Sequence, residues 1–326
     1  MDRMPLRSAA VALALVLALA GVCPAALAAA APEYSEGRIV VTARWLNTHR
    51  NDPHLAIVDV REPKAVSGGF IPGALHMDWR LFQQADAVRG LGVFFVGVDR
   101  AQQLLGRSGI RRTDRVVLYD AEKRDGGATA AYVFWVLELL GHPEVMVLER
   151  GFEAWTEAGF EAAAAPRTAE AVPYRSPVDE LRPERWAGSA FIRTRLGDPG
   201  FQILDVRSPD EYLGNVVTPG LDGRPLKAGH IPGAVNIDYR LNWSDPARKT
   251  IKAPGDLQRL YDGLDPGREV VVYCLSGRRA SFSYFVLRAM GFEKVALYDG
   301  SWLEWGSTRL SYPVETRPNR FGRKNG

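Results

Sequence analysis

Four blocks of sequence occur twice along the chain, and both sets run in the same order. LAIVDVREP (55–63) recurs as FQILDVRSP (201–209), GFIPGALHMDWR (69–80) as GHIPGAVNIDYR (229–240), DRVVLYD (114–120) as REVVVYC (268–274), and MVLERGFEAW (146–155) as ALYDGSWLEW (296–305). Ordered self-similarity of this kind predicts that one structural unit is built twice. We place the two copies at residues 36–161 and 185–318, with the Ala- and Pro-rich stretch at 162–184 as the linker between them.

Each copy alternates short apolar runs with amphipathic stretches. Residues 203–206 and 270–273 are continuous apolar runs, which are typical of strands covered on both faces in a parallel sheet. Residues 280–290 repeat their apolar side chains at helical intervals, and the pattern stops at Gly291. The succession of strand, loop, helix and strand predicts an α/β fold, with two tandem domains that are each an open, mainly parallel sheet flanked by helices. Ligands of such sheets bind at the carboxyl ends of the strands, where Cys274 is expected to lie.

The amino-terminal residues have the pattern of a secretion signal. Two arginines precede an apolar stretch at 11–20, and small residues then offer an A-x-A cleavage site at 26–28. We predict that residues 1–28 are a cleaved signal peptide and that the mature protein is periplasmic or secreted, without stable membrane insertion. An uncleaved membrane anchor is the alternative, because residues 8–32 carry no charge and are long enough to span a bilayer.

The chain has two cysteines, Cys23 and Cys274, and cleavage of the signal would leave only the second. A lone thiol in an oxidising compartment is buried and inert, pairs with another molecule, or is reactive. The net charge of +3 is too small to argue for nucleic acid or an anionic membrane surface as a partner. The sequence around Cys274 therefore has to decide among the three roles.

The stretch YCLSGRRAS places Cys274 between a predicted strand and a predicted helix. Gly277 permits a tight curl, and N–H groups at a helix start have no partner within the helix, so the loop can turn its donors towards an anion. Two adjacent arginines favour the thiolate over the thiol, whereas the apolar core around a structural cysteine would exclude them. We therefore predict that Cys274 is a nucleophile. The predicted substrate-binding residues are the next five in the chain: Leu275, Ser276, Gly277, Arg278 and Arg279.

The paired DVR blocks, GHIPGAVNI, CLSGRR and YDGSW resemble the tandem-domain rhodaneses, which are sulfurtransferases of the thiosulfate or 3-mercaptopyruvate type. The resemblance covers residues 36–318 and implies that Cys274 takes up a sulfane sulfur as a persulfide and passes it to cyanide or a thiol. It implies neither a metal nor an organic cofactor, and the sequence shows no spacing of metal ligands. It also implies an inactive first domain, because Asp120 stands where the second copy has Cys274 and a carboxylate cannot hold a persulfide.

Two other functions stay open at this point. A persulfide relay or binding protein would hand its sulfur to a protein partner and turn over slowly on small molecules. A phosphatase or arsenate reductase of the same fold would carry a longer C-x5-R loop, whereas the spacing here is C-x4 to Arg279 and the C-x5 position is Ala280. The shorter loop suits a single added sulfur, so we expect a sulfurtransferase.

The sulfur donor is open between two small anions. Two adjacent arginines suit a doubly charged anion and favour thiosulfate. The Ser-Gly pair of the loop is closer to the mercaptopyruvate-type enzymes, and Glu211 stands where thiosulfate-type enzymes often have an arginine. An insertion at 215–228, which the first copy lacks, can reach the cleft and contact an anion through Arg224 or Lys227.

Four further residues belong near the predicted site. Asp205 either holds the cysteine loop as a second-shell residue, by pairing with a loop arginine, or forms an internal pair with Arg207; the recurrence of DVR in the first copy favours the internal pair. His230 is expected to stabilise its turn rather than act as a base, because a thiolate nucleophile needs none. Trp302 is expected in the core or at the wall of the cleft.

Overall fold

Each half of the chain builds a parallel sheet from the apolar runs of its sequence. The structure is a computed structural model that describes residues 39–86, 88–122 and 126–319. The predicted signal peptide and Cys23 lie outside the described residues.

The first half contains a five-stranded parallel sheet. The strands of this half are β1 (Val40–Val41), β2 (Leu55–Asp59), β3 (Leu75–His76), β4 (Gln83–Ala85), β5 (Val93–Phe95), β6 (Arg115–Tyr119) and β7 (Val145–Leu148). The sheet has the order β1-β7-β6-β2-β3 with every neighbouring pair parallel, while β4 and β5 form a separate antiparallel hairpin.

The second half repeats this plan with one strand fewer in the main sheet. Its strands are β8 (Phe201–Asp205), β9 (Val235–Asn236), β10 (Trp243–Asp245), β11 (Thr250–Ile251), β12 (Glu269–Tyr273) and β13 (Val295–Leu297). The order is β13-β12-β8-β9, again parallel, and β10 and β11 form the antiparallel hairpin. A single parallel bridge from Trp186 to Leu297 takes the place of β1. The predicted fold class, two open parallel sheets in tandem, is confirmed.

Helices connect the strands and cover both sheets. They are α1 (Ala43–His49), α2 (Val98–Arg107), α3 (Ala128–Leu139), α4 (Gly151–Glu157), α5 (Ser189–Thr194), α6 (Pro209–Leu213), α7 (Pro254–Leu260), α8 (Arg278–Ala289) and α9 (Ser301–Trp305). Shorter 3₁₀ turns lie at Pro63–Ala65, Trp79–Phe82, Val178–Glu180, Pro183–Arg185 and Tyr239–Asn242. In the part of the chain that the structure describes, none of the helices combines the length and apolar character needed to cross a bilayer.

The two halves pack against each other through α3 and α8. Phe134 of α3 meets Phe285 of α8 with ring centroids 5.1 Å apart, and the hydroxyl of Ser281 donates to the carbonyl of Ala128 at 3.0 Å. One cluster of buried apolar side chains runs from the first sheet through both helices to the second sheet, and separate clusters cover the outer faces. Because α3 is enclosed on all sides, it is apolar around its circumference rather than along one stripe.

Residues 162–184 form an extended strap along the first half. This segment has no apolar periodicity, and backbone hydrogen bonds to the first half hold it in place. The pairs that attach it are Ala163 with Phe70, Arg167 with Ala74, Val172 with Gly106 and Arg182 with Leu139.

Strand register places the carboxyl ends of three strands side by side in the second half. Tyr273 at the end of β12 lies opposite Asp205 at the end of β8, and Val272 lies opposite Leu297 at the end of β13. The residues that follow these strands therefore meet at one edge of the sheet, and Cys274 is among them.

Candidate active site

Cys274 follows β12 directly, and its loop ends at Gly277, the residue before α8. The cysteine is buried, with 1% of the residue exposed. Gly277 has a φ of 82°, in the left-handed region, and a Cβ at this position would lie 3.0 Å from backbone atoms of Asp299. Any side chain at 277 would strain the loop both by its conformation and by this contact. The predicted tight curl therefore requires glycine at 277 for two reasons, the positive φ and the close approach of Asp299.

Ser301 holds the loop from outside. Its hydroxyl accepts the backbone N–H groups of Cys274 and Gly277, both at 3.1 Å, and donates to the carbonyl of Tyr298 at 2.7 Å. Both ends of the loop are thus fixed to one oxygen atom, which satisfies two buried donors at once.

Sequence reasoning did not single out Ser301, although the aligned repeats carry a signal: the first copy has Gly151 where the second copy has Ser301. Ser301 adopts a φ of 51°, a conformation that is costly for a residue with a side chain, and Gly151 occupies the equivalent position of the first copy with a φ of 55°. A serine in place of the better-suited glycine indicates that its hydroxyl is needed. The two copies differ here and at the cysteine position together, where Asp120 stands opposite Cys274.

Arg279 forms a two-pronged ion pair with Glu211. Its Nη1 and Nη2 donate to the two carboxylate oxygens, both at 2.9 Å. Burial alone would lower the pKa of Arg279, but the hydrogen bonds to Glu211 and the electrostatic interaction with Cys274 raise it above the usual value. The guanidinium therefore stays charged within electrostatic reach of the sulfur atom.

Glu211 also caps the short helix α6. It exchanges hydrogen bonds with Ser208 in a capping box, in which the Ser208 hydroxyl accepts the N–H of Glu211 and the Glu211 carboxylate accepts the N–H of Ser208, both at 3.2 Å. Burial would raise the pKa of the Glu211 carboxyl, but the hydrogen bonds and charge of Arg279 outweigh it and lower the pKa to about 2. The residue that departs from the thiosulfate-type pattern is thus the counterion of Arg279.

Arg278 faces the first half of the chain. Its guanidinium carbon lies 6.0 Å from the centre of the Trp79 ring, at the outer limit of a cation–π contact. Trp79 is itself held by an edge contact with Tyr132, at a centroid distance of 5.6 Å, and by a hydrogen bond from its indole N–H to Glu62 at 3.4 Å. The first half therefore supplies one wall beside the cysteine loop.

The other predicted loop residues lie around the same turn. Leu275 and Ser276 are half-buried, and the carbonyl of Leu275 accepts the N–H of Leu303 at 2.9 Å. The carbonyl of Cys274 accepts the N–H of Trp302 at 3.0 Å in the same way. The loop is thus attached to the segment after β13 by its carbonyls as well as by its N–H groups.

Asp205 forms the internal pair with Arg207. The guanidinium donates to the carboxylate through Nε at 3.0 Å and Nη2 at 2.6 Å, and the hydroxyl of Tyr273 donates to the same carboxylate at 2.6 Å. Because Tyr273 directly precedes the cysteine, Asp205 supports the end of the strand beneath it. The carboxylate that binds Arg279 is Glu211, not Asp205.

His230 and Trp302 are engaged in packing, as expected. The His230 ring stacks on Tyr212 with centroids 3.7 Å apart, and its Nδ1 lies 2.8 Å from the Tyr212 carbonyl. Trp302 is buried, with the Arg207 guanidinium carbon 4.3 Å from its ring centre. Within residues 39–86, 88–122 and 126–319, no three His, Cys, Asp or Glu side chains are grouped as metal ligands would be.

The insertion at 215–228 packs against the end of the second half. The Lys227 ammonium group donates to the carbonyls of Leu310 and Tyr312. The Arg224 side chain is exposed, with its Nε 3.9 Å from a carboxylate oxygen of Asp222. Lys227 therefore anchors the insertion, and the contact of Arg224 or Lys227 with an anion in the cleft stays a prediction.

The first copy carries a buried carboxylate where the second copy has its thiol. Oδ2 of Asp120 accepts the hydroxyl of Thr129 at 2.6 Å and the N–H groups of Thr129 and Ala130 at 3.1 and 3.0 Å, all in the first turn of α3. Burial raises the pKa of Asp120 to about 6, although these hydrogen bonds lower it. The first copy thus caps this helix with its own anion.

Comparison with known proteins agrees with the duplicated plan. A model of the Rhodanese-like domain matches residues 42–158 and 191–308. The thiosulfate sulfurtransferase of Corynebacterium glutamicum is similar to this chain, with 34% identity over 299 residues that make up 88% of this chain and 93% of that protein.

Solved structures show the same fold. The crystal structure of Tum1 from Saccharomyces cerevisiae matches with a TM-score of 0.72 and 21% identity, over 87% of this chain and all of that chain. The crystal structure of YnjE matches with a TM-score of 0.71 and 22% identity, over 86% of this chain and 69% of that chain. At these identities the two structures support the fold and nothing finer.

The Glu211 carboxyl generates a prediction about stability and pH. Its folded pKa of about 2 is below the ordinary value of 4.5, so the pair with Arg279 stabilises the native state fully above pH 4.5 and loses this contribution as the pH falls towards 2. We expect Glu211→Gln to lower the free energy of unfolding by about 2–3 kcal/mol at neutral pH, and the difference to shrink below pH 4.5.

Denaturant unfolding of both proteins across this pH range measures the difference. The matched control is Asp256→Asn, which breaks the exposed pair with Arg259 and should cost less than about 1 kcal/mol. A difference for Glu211→Gln that does not change with pH would contradict the assignment.

Proposed function

The chain belongs to the rhodanese-like family and is a sulfurtransferase, and we propose that Cys274 carries the transferred sulfur as a persulfide. The observation that carries this proposal is the setting of the thiol. Cys274 is buried at the carboxyl end of β12, beside the start of α8 and within reach of a guanidinium that stays charged. A helix start and a fixed positive charge both favour the thiolate and any anion bonded to it.

In the first step the Cys274 thiolate attacks the outer sulfur of thiosulfate. A sulfur–sulfur bond to Cys274 forms as the sulfur–sulfur bond of the donor breaks, and sulfite leaves with the electron pair. The negative charge passes from the thiolate to the terminal sulfur of the persulfide. Arg279 stays in place for both anions because Glu211 binds its guanidinium through two hydrogen bonds.

In the second step an acceptor takes the terminal sulfur. Cyanide attacks it and leaves as thiocyanate, or a thiolate attacks it and leaves as a persulfide, and in both cases the Cys274 thiolate is restored. The sulfur is transferred without external oxidant or reductant, so the two steps balance on the donor and acceptor alone. This chemistry needs neither a metal nor an organic cofactor.

We propose thiosulfate as the preferred donor, with 3-mercaptopyruvate as the second. Two features support thiosulfate: a doubly charged anion suits a site beside Arg278 and Arg279, and the similar protein of Corynebacterium glutamicum bears the name thiosulfate sulfurtransferase. The first domain is proposed to be inactive, because Asp120 and Gly151 replace the thiol and the hydroxyl that the second domain places at these positions.

Steady-state kinetics test the two-step route. With thiosulfate varied at several cyanide concentrations, double-reciprocal plots should be parallel, because the donor product leaves before the acceptor binds. Cys274→Ser should lose at least about a thousandfold in kcat, since the hydroxyl is far less nucleophilic than the thiolate.

The matched control is Asp120→Asn, which changes the equivalent position of the first domain and should leave kcat within about twofold of the wild type. Turnover that persists in a folded Cys274→Ser variant, or plots that intersect, would overturn the persulfide route. A higher kcat/KM with 3-mercaptopyruvate than with thiosulfate would overturn the donor assignment.

We also propose that the protein is exported and that residues 1–28 are removed. The charged start, the apolar stretch and the A-x-A site support this. Expression in a bacterial host followed by amino-terminal sequencing of the periplasmic fraction should read from Ala29. Recovery of the intact chain in the membrane fraction would contradict cleavage.

A further inference from the structure

The two domains hold each other through a pair of equivalent hydrogen bonds. The N–H of Phe95, at the end of the first domain's hairpin, donates to Oδ2 of Asp299 at 2.6 Å. The N–H of Ile251, at the end of the second domain's hairpin, donates to Oε1 of Glu149 at 3.0 Å. Each carboxylate therefore binds the backbone of the opposite domain.

These two contacts occupy the same place in the repeat. Phe95 pairs with the first residue of β4, and Ile251 pairs with the first residue of β10. Glu149 directly follows β7, while Asp299 comes two residues after β13, in the matching blocks LER and YDG. We call this pair of contacts the interdomain clasp, with one half at Asp299 and the other at Glu149.

Asp299 is more deeply buried than Glu149 and accepts more hydrogen bonds. The residue is 1% exposed, and Oδ1 accepts the indole N–H of Trp186 at 2.7 Å and the N–H of Gly300 at 3.0 Å. Burial raises the pKa of Asp299 to about 6, although the hydrogen bonds from Trp186, Phe95 and Gly300 lower it. A carboxylate with three donors at this depth fixes the first domain, the start of the second and its own chain to one point.

The same residue lies against the cysteine loop. Backbone atoms of Asp299 are 3.0 Å from the position that a Cβ on Gly277 would take. Two residues further along, the hydroxyl of Ser301 accepts the N–H groups of Cys274 and Gly277. A displacement of Asp299 therefore moves both the surface on which the loop lies and the acceptor that holds its ends.

We infer that Asp299 is a positioning residue through which the inactive first domain orders the Cys274 loop of the second. This inference rests on the proposed function, since it assigns the first domain a part in the same sulfur transfer. The N–H of Phe95 in the first domain binds Asp299 and so fixes the position of Asp299. Because Ser301 is only two residues further along the chain, its position depends on that of Asp299. The Ser301 hydroxyl then holds both ends of the Cys274 loop. The Glu149 half of the clasp joins the same two domains, but the loop beside it carries Asp120 and no thiol.

Each half of the clasp gives one variant. Asp299→Asn keeps the shape of the side chain but replaces one accepting oxygen with an amide that cannot accept, so Phe95 or the pair Trp186 and Gly300 loses its acceptor. Glu149→Ala removes the equivalent hydrogen bond from Ile251. Both variants are compared with the wild type by circular dichroism and thermal unfolding, so that only folded proteins enter the comparison.

Single-turnover loading with thiosulfate at about pH 8, where a carboxyl with this pKa is ionised, is the first readout. We expect Asp299→Asn to slow sulfur loading by about 10- to 100-fold, because small misplacement of a reacting group has effects of this size. Glu149→Ala should stay within about threefold of the wild type. Equal loading rates in Asp299→Asn and the wild type, or equal losses in the two variants, would overturn the inference.

Amide hydrogen exchange across residues 274–279 is the second readout and does not depend on sulfur chemistry. Asp299→Asn should speed exchange in this segment, whereas Glu149→Ala should leave it unchanged. If the wild type takes up no sulfur while exchange responds as expected, the proposed function fails and the positioning role stands. If the wild type takes up sulfur and exchange is the same in all three proteins, the positioning role fails and the proposed function stands.

Discussion

The loop around Cys274 keeps its shape because one hydroxyl outside the loop, that of Ser301, accepts N–H groups from both of its ends. Without that acceptor two buried donors would be unsatisfied, at a cost of about 1–3 kcal/mol each. The requirement explains why Ser301 tolerates a positive φ and why the segment after β13 has to lie accurately against the end of β12. Parallel pairing of these two strands supplies the coarse placement. The contacts of Asp299 with Phe95 and Trp186 hold the same segment as well.

The two domains share one structural frame and differ at the positions where the sulfur transfer is proposed to take place. Both have the Asp–Arg pair of the DVR block, an antiparallel hairpin, a carboxylate that binds the other domain, and an apolar helix in the shared core. Before the apolar helix the second domain has Cys274 where the first has Asp120, and at the start of the next helix along the chain it has Ser301 where the first has Gly151. Both domains need the frame because each covers the other's inner face, whereas the proposed sulfur transfer needs a thiol in only one of them. The buried carboxylate of Asp120 keeps the first domain's helix capped without one.

The sequence predicts those features of the structure that have local signals. Apolar runs locate the strands, the repeat fixes the number of domains, and the step from strand to glycine to helix places Cys274 at a sheet edge. The partners of the loop were not predictable, because each comes from far along the chain: Glu211 lies 68 residues from Arg279, and Phe95 lies 204 residues from Asp299. Such pairs depend on how the domains pack, which no local pattern records. Lys227 shows the same limit, since its charge suggested an anion while its partners are carbonyls of the chain's own end.

Intact mass spectrometry tests whether one thiol, Cys274, carries the sulfur. The protein is weighed before incubation with thiosulfate, after it, and again after cyanide is added. We predict a gain of one sulfur atom per chain with thiosulfate, its loss with cyanide, and no gain in Cys274→Ser. An unchanged mass in a protein whose Cys274 is intact and reduced, or a gain that survives in Cys274→Ser, would contradict this prediction.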